Sequence, residues 1–336
     1  MDVTQRHRAA ASLAFAWLAL VVCAFDAFSS VPANGRVRIG GTDYIQVDDW
    51  ARAHGFTRKW TIPRDEMRLS NGSSSVLLNA DSRKMVLNGI QIWLCFPVAL
   101  RNGALWVSSI DVNATINPAL FPQRSASAKK LTTICLDPGH GGKDPGNREG
   151  RRYEKTYSLL LAREVRAALV KAGFKVLLTR STDRFIDLGE RARWAKQKGA
   201  DLFLSLHFNS ADGPGGSAVN GIETFCLAPA GTASTNARGE GAGSSASPGN
   251  RFDSKNMHLA YQLQKSLIRS LGAEDRGVKR ARFAVLRFAE IPAALIEGGF
   301  MTNPAEAKKI YSTAYRQQMA QAIADATLAF KKAIEH

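Results

Sequence analysis

Acidic side chains are in short supply in this 336-residue chain. Asp and Glu number 29 against 45 Lys and Arg, a formal net charge of +16 with a pI near 10. Such a surface is drawn to polyanions, whether nucleic acid, anionic lipid or the acidic polymers of a cell envelope. No nucleic-acid module is visible, so nucleic acid is not expected as a partner. Cysteine is scarce too, with four in the chain. Cys23 falls in the leading apolar segment, and the remaining Cys95, Cys135 and Cys226 cannot all pair, which excludes a disulfide framework. Cys135 and Cys226 sit in apolar, strand-like runs and read as buried free thiols. Internal repeats are absent.

One long apolar run is present, Ala9 to Phe25, directly after Arg6, His7 and Arg8. Basic residues before an apolar stretch are the layout of a secretory signal. The run is short for a spanning helix, yet Ala27-Phe28-Ser29 is a modest cleavage candidate, so residues 1–30 read as a signal peptide or a membrane anchor. Either assigns the protein to the periplasm or cell envelope, or to secretion. Val22 is too large to make Cys23 a convincing lipoprotein signal.

Residues 37–120 alternate short β-prone runs with turn signals at Gly40-Gly41, Asn71-Gly72, Asn88-Gly89 and Asn102-Gly103, the pattern of hairpins. Val47 to Gly55 reads as a short helix led by Asp48 and Asp49. A small strand-rich α+β domain is expected here. It resembles the amine-oxidase N-terminal-like domain through Gly41-x-x-Tyr44-x-x-Val47, Val86-Leu87-Asn88-Gly89 and Leu105-Trp106-Val107. Residues 121–130, FPQRSASAKK, lack periodicity and read as a linker.

From 131 to 336 the period changes. Strands at Leu131–Asp137, Phe174–Arg180, Asp201–His207, Gly221–Leu227 and Ala293–Ile296 alternate with helices from Tyr157, at Leu188–Lys198, near Asn256–Ser270 and at Thr313–Ile334. This pattern predicts an α/β domain, a largely parallel sheet flanked by helices. Residues 228–254, rich in Gly, Ser, Ala and Asn, have no hydrophobic period and are expected to be a mobile cover over the functional cleft. The basic run Lys279-Arg280-x-Arg282 reads as a solvated face.

Parallel sheets carry their chemistry at the carboxyl ends of strands. His140, His207 and Glu297 occupy such ends, in a chain with six histidines. Two imidazoles and a carboxylate suit a catalytic zinc, which takes three protein ligands and leaves one position open. Glu154, opening a helix after a glycine-rich loop, would supply the carboxylate, leaving Glu297 as a base acting on water. Taken singly, each has an ordinary reading: a packed histidine after a strand, or a glutamate favouring a helix N-terminus. The run DPGHGGKDPG lacks the Gly-Lys-Ser/Thr ending of a phosphate loop.

In sequence order, Leu136-Asp137-Pro138-Gly139-His140-Gly141-Gly142, Glu154-Lys155, Ser205-Leu206-His207-Phe208-Asn209, Arg276-Gly277-Val278-Lys279 and Glu297-Gly298-Gly299-Phe300 resemble the zinc-dependent N-acetylmuramoyl-L-alanine amidases of the amidase-3 family. The resemblance implies one zinc ion in the catalytic domain, held by His140, Glu154 and His207, with Glu297 catalytic and peptidoglycan as substrate. Asp137 is expected to steady an imidazole from outside the ligand set, and Asn209 to contact substrate. Anionic envelope polymers or a membrane surface are further partners suggested by the charge, and the identity of any activator protein is left open. Two other readings share these residues: a zinc peptidase or deacetylase acting on another wall bond, and a catalytically silent wall-binding module.

Overall fold

The computed structural model describes residues 35–124, 130–235 and 245–335. The expected export segment at 1–30, the middle of the expected linker and residues 236–244 lie outside the described residues. Among the described residues no helix is long and apolar enough to cross a membrane.

The N-terminal unit is built from hairpins. Strand β1 (Arg36–Ile39) pairs with β2 (Thr42–Gln46), which leads into helix α1 (Val47–Ala53). A meander follows: β3 (Thr57–Ile62), β4 (Glu66–Ser70), β5 (Ser75–Asn79), β6 (Lys84–Leu87) and β7 (Ile90–Trp93). Strands β8 (Ala99–Arg101) and β9 (Ala104–Ser108) then complete a four-stranded sheet with β1 and β2. Asn88-Gly89 and Asn102-Gly103 all have positive φ, as two-residue hairpin turns of the favoured hand require. Helices α2 (Ser109–Asp111) and α3 (Asn117–Leu120) bracket a π-helical turn and close the unit.

The second unit begins with β10 (Thr133–Pro138), then a small ladder of β11 (Arg148–Glu149) and β12 (Arg152–Tyr153) that delivers the chain into α4 (Glu154–Lys171). Next come β13 (Lys175–Leu178), α5 (Leu188–Gln197), β14 (Leu202–Asn209) and β15 (Ile222–Leu227). Helix α6 (Asp253–Leu271) leads to β16 (Asp275–Ala281), α7 (Ala284–Arg287), β17 (Ala293–Phe300), α8 (Pro304–Tyr311) and α9 (Thr313–Glu335). One sheet face packs on α4, α6 and α9 through residues such as Leu161, Leu263 and Ile323. The other packs on α5 and α7 through Phe203, Phe225, Ala192 and Leu286.

The sheet is mixed rather than largely parallel. Strands β13, β10, β14 and β17 run parallel, but β15 is antiparallel to β17. The reason lies in the connections. The stretches 210–221 and 282–292 carry no crossover helix long enough to return the chain to its starting edge, so the chain turns back instead. Between β15 and β16 lies α6, and that pair is parallel.

This reversal also corrects the expectation for 228–254. Leu227 ends β15 at the edge where β17 begins, away from His207 and Glu297. The described flanks are anchored there: Thr235 N donates to Arg280 O, and Asn250 Nδ2 to Ala228 O. The interval therefore leaves and rejoins the sheet at the edge opposite the cleft it was expected to cover.

The two units share one sheet. Ile92 of β7 pairs in parallel with Val278 of β16, giving an eleven-stranded order β13-β10-β14-β17-β15-β16-β7-β6-β5-β4-β3. They also share a core, in which Leu87, Ile92, Val107 and Ile116 meet Cys226, Met257, Tyr261 and Val278. Lys279 and Arg280, expected at a solvated face, are buried in β16. Arg280 donates to Leu227 O, Ala114 O and Thr115 Oγ1, spanning both units. Cys95, Cys135 and Cys226 are all buried free thiols.

Candidate active site

The ends of β10, β14 and β17 and the start of α4 meet at one point. Gly139 continues β10 by donating its N–H to Leu206 O, and a Cβ there would lie 2.2 Å from the His207 ring. Only glycine lets the two segments approach this closely. His140 follows with φ +61°, a left-handed conformation uncommon for a residue with a side chain. Two buried arginines hold it there. Arg191 donates to Pro138 O and His140 O, and Arg180 to Pro138 O and Gly139 O.

The turn places His140 Nε2 3.0 Å from Glu154 Oε2, while His207 Nδ1 lies 2.9 Å from Glu154 Oε1. The imidazole centroids are 4.9 Å apart, nearly edge to face. Glu154 also accepts from Asn147 N and Phe208 N, which fixes its carboxylate. A Cβ on Gly146 would lie 2.5 Å from Glu154 Oε2, so this glycine too is dictated by the site. One donor atom from each of His140, Glu154 and His207 fits within 4.8 Å of the others. Two nitrogens and one carboxylate oxygen, with a second carboxylate alongside, are a donor set suited to zinc.

The electrostatics match that arrangement. Burial pushes the Glu154 carboxyl up, but its bonds to His140 and His207 prevail and hold it well below the ordinary value. Burial depresses the His140 imidazole, and Glu154 and Asp144 more than offset this, leaving it raised. Glu297 behaves oppositely. It pairs in register with His207 on one side and Glu223 on the other, and its Oε2 is buried without a hydrogen-bond partner. Burial first, then the charges of Glu154 and Glu223, push its carboxyl well above the usual range.

Asp137 does not steady an imidazole. Its carboxylate accepts from Thr179 Oγ1, Arg191 Nη1 and Ser205 Oγ, tying β10 to its neighbours and to α5. The physical reason is that Asp137 lies within β10, where its side chain meets the adjacent strands. The partner of the His140 ring is Asp144, whose Oδ2 lies 2.8 Å from Nδ1. Its position four residues after His140, in the same glycine-rich loop, was the available signal. Asn209 Nδ2 donates to Glu223 Oε2. Glu223 was also missed. A lone acid in the apolar run Ile222–Leu227 was its only sequence mark, and it is 2% exposed, held by Lys279 Nζ and Arg276 Nε at 2.6 Å each.

Comparison with known proteins gives a consistent picture. The Amidase_3 family, N-acetylmuramoyl-L-alanine amidase, matches residues 134–329. The amidase AmiA of Escherichia coli is 32% identical over 67% of this chain and 84% of its own length. LytC, an amidase of Bacillus subtilis, is 35% identical over 59% of this chain, but the match spans only 35% of LytC. Among solved structures, an N-acetylmuramoyl-L-alanine amidase from Clostridium difficile is 31% identical, with a TM-score of 0.50 over 60% of this chain and 97% of that one.

Proposed function

Since the chain belongs to the Amidase_3 family of N-acetylmuramoyl-L-alanine amidases, we propose that it hydrolyses the amide joining N-acetylmuramic acid to the L-alanine of the peptidoglycan stem peptide, with zinc as cofactor. The observation that carries this reading is the His140–Glu154–His207 donor set with the buried, unpartnered Glu297 oxygen beside it. Those three residues would hold the ion. When bound, zinc supplies Lewis acidity, polarising a carbonyl and making water more acidic.

The remaining chemistry belongs to the chain. Glu297 takes a proton from the attacking water as the new C–O bond forms, and then gives it to the alanine nitrogen as the C–N bond breaks. Its burial and its two acidic neighbours raise its affinity for that proton, which suits a group acting as a base. Asp144 orients the His140 ring, and Arg180 and Arg191 keep His140 in its left-handed turn. Asn209, bonded to Glu223 at the end of β14, contacts substrate in this reading. The protein acts outside the cytoplasmic membrane, delivered there by residues 1–30. Its basic surface favours acidic wall polymers or anionic lipid.

Glu297→Gln keeps the side chain's shape but removes the proton acceptor. It should retain zinc, measured by elemental analysis, while release of stem peptide from purified sacculi falls by about 10² to 10⁴-fold. His140→Ala should lose metal and activity together. Near-normal turnover in Glu297→Gln, or binding to sacculi without peptide release by the zinc-loaded wild type, would overturn the proposal.

A further inference from the structure

The edge that carries His207 and Glu297 continues across two more strands. Glu223 sits beside Glu297 on β15, and β16 brings Arg276 Nε and Lys279 Nζ to its Oε1. One buried carboxylate needs one cation to balance it. Lys279, with 6% of its side chain exposed, is that cation. Arg276 is the outer of the two cations: its Nη1 also donates to Asn220 O, and 34% of its side chain faces solvent.

Arg276 is also held in place. Trp93 Nε1 and Gln91 Nε2 of β7 donate to its carbonyl at 3.0 and 3.3 Å. Its guanidinium lies 5.1 Å from the centroid of the Phe300 ring. A fixed, partly exposed guanidinium matches the planar geometry of a carboxylate. Near the bond to be cut, the substrate offers one such group. The lactyl carboxyl of the sugar is tied up in the amide itself, whereas the second stem residue, a glutamate linked through its side chain, keeps its α-carboxylate free.

Resting on the amidase reading above, we propose that Arg276 is a specificity-determining residue that binds the free carboxylate on the peptide half of the substrate. The Glu223–Lys279 pair fixes the guanidinium, and β7 of the N-terminal unit positions its backbone. The preference is thus built jointly by both units.

The test compares two soluble muramoyl tripeptides that differ only at the second residue, free α-carboxylate against α-carboxamide, using the full chain loaded with zinc. Wild type should favour the free acid by about ten- to a hundredfold in kcat/KM, the worth of a charge-assisted pair. In Arg276→Gln the ratio should fall close to one. A ratio on one sample does not depend on how much of the protein is folded. Arg276→Lys, which keeps the charge, should retain a preference of the same sign and serves if the glutamine variant does not fold. A wild-type ratio near one, or an undiminished ratio in Arg276→Gln, overturns the assignment of Arg276. Release from neither substrate by wild type overturns the amidase reading itself, and this proposal with it.

Discussion

At the scale of single residues, the clustering of His140, Glu154 and His207 was legible because chemistry and position coincided. His140, His207 and Glu297 stand at strand ends, and glycines crowd around them. Their outer partners were not legible, because contacts across a sheet follow register and not sequence distance. Asp137 is three residues from His140 and bonds elsewhere, whereas Asp144 reaches back through a tight turn. If the proposed zinc site is right, Asp144→Ala should weaken zinc binding by about 10- to 100-fold, the usual cost of removing the hydrogen bond that supports a ligand. Competition against a chelator of known affinity measures this. Unchanged affinity would mean that the strained turn, held by Arg191 and Arg180, orients the ring unaided.

At the scale of elements, most helices and strands announced themselves by period, and β16 did not. Lys279 and Arg280 read as solvent-facing because charged side chains are almost never fully buried unless paired. Here both are paired. Lys279 meets Glu223, and Arg280 satisfies backbone carbonyls from both units. Replacing Arg280 with Met keeps much of the volume but leaves those carbonyls without donors. Stability should fall by about 3 kcal/mol, on the scale of breaking a buried charged network. The midpoint of denaturant unfolding reports it, and a shift equivalent to less than about 0.5 kcal/mol would show that the buried Arg280 bonds contribute little to stability.

At the scale of the whole molecule, the sequence suggested two units with a linker, but it carried no sign that β7 and β16 would pair. Edge pairing depends on which strand edges are left free once each unit has folded, and that is a property of topology. Unfolding should accordingly proceed in one transition, with fluorescence and circular dichroism changing together. Separate melting of the N-terminal unit would show the joint to be weak.

One contact across the joint also titrates. His258 of α6 bonds through Nδ1 to Pro118 O of α3, and burial depresses its imidazole to about 4 from an ordinary 6.5. The unfolded chain takes up this proton below pH 6.5, whereas the folded chain does not until about pH 4. Folding is therefore unpenalised above that window and loses about 1.4 kcal/mol per pH unit as pH falls through it. The stability advantage of wild type over His258→Gln, measured by urea unfolding, should shrink from pH 7 towards pH 4. A constant difference would assign the acid sensitivity to other groups.

The shared core also constrains inheritance. Cys226, Met257, Tyr261 and Val278 belong to the catalytic half, yet they pack in one core with residues of the N-terminal half. A descendant that lost that half would expose an apolar patch and a sticky strand edge at β16, both routes to aggregation. Loss of the accessory half must therefore be accompanied by polar replacements at these four positions, and a cousin that never carried it should already show them.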